Sequence, residues 1–164
     1  MLRRLWVVLA FLLVPAAASA DDHRAFFGAG SALHASTLGG FHASGEVRPL
    51  HLDATWGGLT IIGDFSLHSG THEGADVTFK TVAGGVGWRV ATADGKHAGR
   101  VHGLFGGANA EGNTEFVTIL GGAYEFVPGG TASRFAIRGQ VDGIIPKEGD
   151  KFVRISGGVV FRFK

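Results

Sequence analysis

Apolar and polar residues alternate with a period of two along several stretches of this chain, most clearly over Phe152–Phe163. There Val153, Ile155, Gly157, Val159, Phe161 and Phe163 share one parity, and Arg154, Ser156, Gly158, Val160 and Arg162 the other. A strand sends successive side chains to opposite faces, so this rhythm predicts a strand with one apolar and one polar face. The same pattern recurs over residues 41–48, 59–68 and 134–142. Residues 25–33, 99–108 and 115–126 read as strands with less regular alternation. Over residues 77–90 the bulky side chains change parity between Phe79 and Val82, for which a bulge is one explanation. The total is eight strands.

Turn residues separate these segments. Asp94-Gly95 lies within residues 92–98, Pro128-Gly129-Gly130 within 127–133, and Pro146 and Gly149 within 144–150; residues 109–114 form a fourth turn. Short connections of this kind make antiparallel neighbours. Eight such strands can close into an up-and-down barrel, which leaves no unpaired sheet edge. The expected fold is therefore all-β, an eight-stranded antiparallel up-and-down barrel in a single domain.

Composition agrees with this and adds a destination. Of 164 residues, 28 are glycine and 4 proline, 13 are phenylalanine, and there is no cysteine. A helical bundle is disfavoured by the glycine, and disorder is excluded by 45% hydrophobic residues. Residues 1–20 carry Arg3 and Arg4, an apolar run to Val14, Pro15 and then Ala18-Ser19-Ala20. That is the layout of a cleaved secretory signal peptide, and its apolar run is too short for a spanning helix. The working domain is then residues 21–164, with 13 basic against 14 acidic residues. Such a balance speaks against nucleic acid as a partner.

Alternation by itself does not say which face meets water. In a soluble barrel the apolar face points inward; in an outer-membrane barrel it meets lipid and the polar face lines the interior. The apolar sets run uninterrupted by charge. The opposite sets mix signs, with Glu46 and Arg48, Asp64, Glu125, Arg138 and Asp142, and Arg154. Charges of both signs suit a narrow interior where they must pair. These seven residues are the expected lumen network, a salt-bridged plug that closes the pore. Phe26, Phe27, Phe41, Trp88, Tyr124, Phe126 and Phe161 are candidate aromatics of the membrane interfaces.

A resemblance points the same way. The segments that carry it are Ile62-Gly63-Asp64-Phe65-Ser66, Gly103-Leu104-Phe105-Gly106-Gly107-Ala108, Leu120-Gly121-Gly122, Ala136-Ile137-Arg138-x-Gln140-Val141-Asp142 and Gly158-Val159-Val160-Phe161-Arg162-Phe163. In their order and spacing they resemble the small OmpA-like outer-membrane β-barrel domain proteins of Gram-negative bacteria. The resemblance covers most of residues 21–164 and is weakest over 47–58, where this chain carries extra residues. It implies a transmembrane barrel in the cell outer membrane with both termini periplasmic. The outer loops would be 34–38, 69–76, 109–114 and 144–150, and the periplasmic turns 49–58, 92–98 and 127–133. It also implies that Val159, Phe161 and Phe163 form the terminal strand read by the outer-membrane barrel assembly machinery. Lys164 after the final aromatic is a departure from that family's usual ending. The implied partners are that machinery and outer-membrane lipid, with the chain a monomer.

Candidate chemistry is sparse. Histidines such as His34, His42, His51, His68, His72, His97 and His102 are scattered, with no cysteine beside them, and give no convergent metal set. His42-Ala43-Ser44 with Glu46 has the residue types of a lipid A hydrolase, but on a strand they share the interior face. No G-x-S-x-G elbow is present, and glycine runs such as Gly84-Gly85-x-Gly87 lack the Lys-Ser/Thr of a phosphate cradle. No catalytic residue, metal or cofactor is expected. The role expected is structural or interactive. Two alternatives stay open: a soluble periplasmic barrel holding an apolar ligand, and an outer-membrane lipid A-modifying hydrolase.

Overall fold

The computed structural model describes residues 23–33, 37–53, 57–72, 74–110 and 112–163. The expected signal peptide and the expected loop around His34 lie outside the described residues, as does Lys164. Eight strands follow in order: β1 (His23–Leu33), β2 (Thr37–Asp53), β3 (Gly57–His72), β4 (Ala75–Ala91), β5 (His97–Ala110), β6 (Asn113–Phe126), β7 (Phe135–Pro146) and β8 (Phe152–Phe163). Each pairs antiparallel with its sequence neighbours, and β1 pairs with β8 to close the barrel.

The stagger of the barrel can be read from the ladders. Starting at Arg24, the row of paired residues runs through Glu46, Ile62, Gly85, Leu104, Ile119 and Ile144 to Phe152. Arg24 itself pairs with Arg162, ten residues further along β8. A shear of ten over eight strands tilts every strand and leaves an interior that side chains can fill.

Several strands are longer than the alternation predicts. β3 and β4 stay paired to His72↔Ala75, through most of the loop expected over 69–76. Pairing needs only backbone groups, and the polar side chains of Ser69, Thr71, Asp76 and Thr78 do not interrupt it. β2 likewise runs to Asp53, where a turn was expected. Its register with β3 shifts between Val47 and Leu50, around Pro49, which has no N–H to donate. The bulge is thus on β2, inside the segment with extra residues. β4 has none: its register with β3 and β5 is unbroken, which corrects the bulge expected over 77–90.

The end that holds His23 and Phe163 is closed by two turns packed on each other. Val127 N–H donates to the Lys96 carbonyl at 2.7 Å, and Arg162 donates to the carbonyls of Gly130 and Ser133. Gly130 opens a single 3₁₀ turn at φ +58°, and a side chain there would meet the Asp94 carbonyl at 2.6 Å. Asp94 accepts from the Thr92 hydroxyl and the Lys96 N–H. Those two donors hold its carboxyl below the usual aspartate range.

Candidate functional site

The two faces of the wall settle what lines the lumen. On β8, Arg154, Ser156 and Val160 are buried, while Val153, Ile155, Val159, Phe161 and Phe163 are exposed. The same holds on β7, with Ala136, Arg138, Gln140, Asp142 and Ile144 buried and Phe135, Ile137 and Val141 exposed. The wall therefore turns its charged residues inward and most of its large apolar residues outward, the reverse of a water-soluble protein.

Charged side chains meet in the middle of the barrel and form one connected network. At its centre Arg154 donates to Asp64 Oδ1 at 2.8 Å and to Asp142 Oδ2 at 2.7 Å. Asp64 also accepts from His42 Nε2 at 2.6 Å, and Asp142 from His102 Nε2 at 2.8 Å. Gln140 links this group to the next: its nitrogen donates to Asp142 and its oxygen accepts from Arg100 at 3.0 Å. Arg100 pairs with Glu46, Glu46 with Arg138, and Arg138 with Glu125. Glu125 Oε2 then accepts from both Arg24 at 3.0 Å and Arg89 at 2.9 Å. Five arginines thus surround four carboxylates, every one of them buried. Ions removed from water are tolerable only when paired and hydrogen-bonded in this way.

Of the seven residues expected in the lumen, Glu46, Asp64, Glu125, Arg138, Asp142 and Arg154 are brought together here. Arg48 is half-buried on β2, just before the register shift. Arg24, Arg89, Arg100, His102 and Gln140 belong to the same network without having been expected there, and so does His42, which was expected on the interior face but not in the network. Their signal was parity: Arg100, His102 and Leu104 alternate with Gly99, Val101 and Gly103. The glycines on the outer face blurred it.

The network is covered by apolar side chains toward the loop end and interleaved with them toward the turn end. Toward the loop end lie Leu38, Phe79, Leu104, Val117, Ile119 and Ile144, with Phe79 stacked on Phe152 at 4.7 Å between ring centroids. Toward the turn end a smaller apolar cluster, Phe26, Val127, Ala136 and Val160, sits among the charges, with Arg24 reaching past Phe26. Phe26 is a correction to the expected interface aromatics. It is 1% exposed inside the barrel, edge-on to His42 and 5.1 Å below the Arg138 guanidinium. Phe27, Phe41, Trp88, Tyr124, Phe126 and Phe161 do face outward. His97 stands beside them, its Nδ1 2.6 Å from the Tyr124 hydroxyl.

One arrangement invites a catalytic reading. Ser156 Oγ lies 2.8 Å from His42 Nδ1, and His42 Nε2 binds Asp64, which is the connectivity of a hydrolytic triad. Its members are enclosed and tied into the charged network. Ser156 and His42 are 4% and 0% exposed, and Asp64 is held from the other side by Arg154. Ser44 and Glu46, the other residue types noted beside His42, also point inward, and Ser44 accepts from Arg138 at 3.4 Å. Among the described residues no group of three or more His, Cys, Asp or Glu side chains is placed to hold a metal.

No protein-family model matches this sequence. No curated relative matches it either. Solved structures do match its fold. Ail, the attachment invasion locus protein of Yersinia pestis, superimposes with a TM-score of 0.53 at 15% identity, over 87% of this chain and 97% of Ail. The N-terminal β-barrel domain of Pseudomonas aeruginosa OprF does so with a TM-score of 0.54 at 10% identity, over 88% of this chain and all of that domain. The outer membrane enzyme PagL aligns at 11% identity with a TM-score of 0.49. The chain has the fold of the eight-stranded barrels to which Ail and the OprF domain belong.

Proposed function

We propose that this chain is a small, exported outer-membrane β-barrel protein of the OmpA-like kind, non-catalytic and monomeric. Its charged lumen is a structural plug, and its role is envelope integrity or presentation of short loops at the surface. The observation that supports this reading is the inversion of the wall: arginines and carboxylates are buried inside, and Phe105, Val101, Ile137 and Phe163 are more than half exposed outside. In water such a surface would aggregate; in a bilayer it is the surface required. Strands of eleven residues or more also reach the length that a tilted strand needs to cross the hydrocarbon layer.

The rival of a soluble barrel with an apolar cavity needs the odd-numbered residues of β8 to point inward, and they point outward. Fractionation followed by gel electrophoresis of unheated and heated samples tests the membrane reading. Recovery in the outer membrane, with a mobility shift on boiling, is the expected result. Recovery in the soluble periplasm would overturn it.

A further inference from the structure

The outer wall is not uniformly smooth. Across β1 to β4 a ridge is formed by Phe27, Ala43, Phe65 and Val82, which are successive partners in one row. In the next row toward the turn end stand Ala25, Gly45, Gly63 and Gly84. Beyond them Val47, Ile61 and Val86 make a second ridge. Gly45 and Gly63 of that row floor a furrow of about 260 Å³ walled by Phe27, Phe41, Phe65 and Val82, and its surface is almost wholly apolar. The floor has room for more: a Cβ built on Gly45 meets nothing within 4 Å.

Lys80 stands just above this furrow. It is exposed on the outward face of β4, two residues from Val82 toward the loop end, and pairs in register with Leu67. Among the described residues it is the only lysine or arginine on the outward face of a strand. It also marks a border. On β3 and β4, Ser69, Thr71, Asp76 and Thr78 lie beyond it, and Val82, Val86, Trp88 and Val90 lie before it. In the membrane reading, that border is where lipid headgroups meet acyl chains, and a lysine there is drawn to negative headgroups.

We propose that the furrow seats an acyl chain of one anionic lipid whose phosphate is held by Lys80. The proposal rests on the membrane reading above. A flexible apolar chain fits a shallow groove floored by glycine, and a lone cation at the groove's headgroup end complements a phosphate. A zwitterionic lipid offers the same chain but adds its own cation beside the lysine.

The full exported chain, folded into nanodiscs of equal phosphatidylglycerol and phosphatidylcholine with identical acyl chains, would be released and weighed by native mass spectrometry. Retained phosphatidylglycerol should exceed phosphatidylcholine by about fivefold, the ratio that corresponds to ~1 kcal/mol for a lysine at an anionic surface. Lys80→Gln should bring the ratio to parity, and Gly45→Leu should lower retention of both lipids by filling the floor. Parity in the unmodified protein, or an unchanged ratio in Lys80→Gln, would overturn the lipid site and leave the membrane reading intact. A dimer that Gly45→Leu dissolves would assign the furrow to a second copy instead. Failure to enter the bilayer, read from the missing heat shift, would overturn both.

Discussion

Arg154 and Asp142 sit directly opposite each other on β8 and β7, and Arg154 reaches past Asp142 across the lumen to Asp64. One guanidinium therefore ties together strands β3, β7 and β8, and its planar set of donors serves two carboxylates at once. Replacing Arg154 with Met keeps much of the volume and leaves two buried carboxylates without their cation. Removal of one partner from a buried pair costs ~3–5 kcal/mol. Urea unfolding in detergent should show a loss of that size, and combining Arg154→Met with Asp64→Asn and Asp142→Asn should recover part of it. A loss below ~1 kcal/mol for the single variant would mean that water or the ends of the barrel already solvate these charges.

Gly121 on β6 gives the same network its room. It lies between His102 and Asp142 in the ladder, and a methyl group on it would fall 2.0 Å from Asp142 Oδ1 and 2.8 Å from His102 Nε2. The Val141 carbonyl, 2.7 Å away, closes the remaining direction. Gly121→Ala should therefore displace the Asp142 carboxylate and lower the temperature at which the folded gel band is lost. Gly139→Ala, where a Cβ meets nothing within 4 Å on the outer wall, should leave that temperature unchanged. Equal effects of the two would remove the argument from packing around Asp142.

How much of this could be read in advance depended on what each strand buries. On β7 and β8 the lumen face carries Arg138, Asp142 and Arg154 against an outer face of branched and aromatic residues, so parity alone oriented them. On β4 the lumen face changes character along its length, from Val77 and Phe79 through Ala83 and Gly87 to Arg89. The apparent parity switch is the passage from the apolar seal to the charged band on an unbroken strand. β6 does the same, from Val117 and Ile119 to Glu125. Period-two reasoning assumes one kind of interior, and this barrel has two. The link from Ser156 to His42 to Asp64 was out of reach for another reason: its members come from β8, β2 and β3, and only the closure of β8 on β1 brings them together.

That link carries its own prediction. If it serves the plug, folded protein treated with a fluorophosphonate should remain unlabelled, because Ser156 is only 4% exposed. Ser156→Ala should then alter stability by no more than the ~1 kcal/mol of a hydrogen bond. A stoichiometric mass increase located on Ser156 would turn the structural relay into an active site.

Phe163 and Phe161 share a face of β8 but differ in their contacts. Phe161 packs edge-on against Phe27 at 6.1 Å and Phe135 at 5.2 Å, whereas Phe163 is 56% exposed at the end of the strand. Phe161→Ala should lower both refolding in detergent and insertion in cells. Phe163→Ala should refold normally in detergent, yet accumulate less in the outer membrane, if the end of β8 is read by the assembly machinery. Wild-type membrane levels of Phe163→Ala would remove that role from the terminal aromatic.

The apolar seal at the loop end, rather than the charges, should decide whether the barrel conducts. An ion crossing the lumen must pass Phe79 stacked on Phe152, among the buried Leu38, Leu104, Val117, Ile119 and Ile144. These side chains offer no polar group to replace lost hydration. Planar-bilayer recordings should therefore show no steady nanosiemens-scale conductance. They should stay silent for Arg154→Met as well, because loosening the charged band leaves that seal in place. Steady current in Arg154→Met alone would place the gate in the charged band, and current in the unmodified protein would deny that the lumen is plugged.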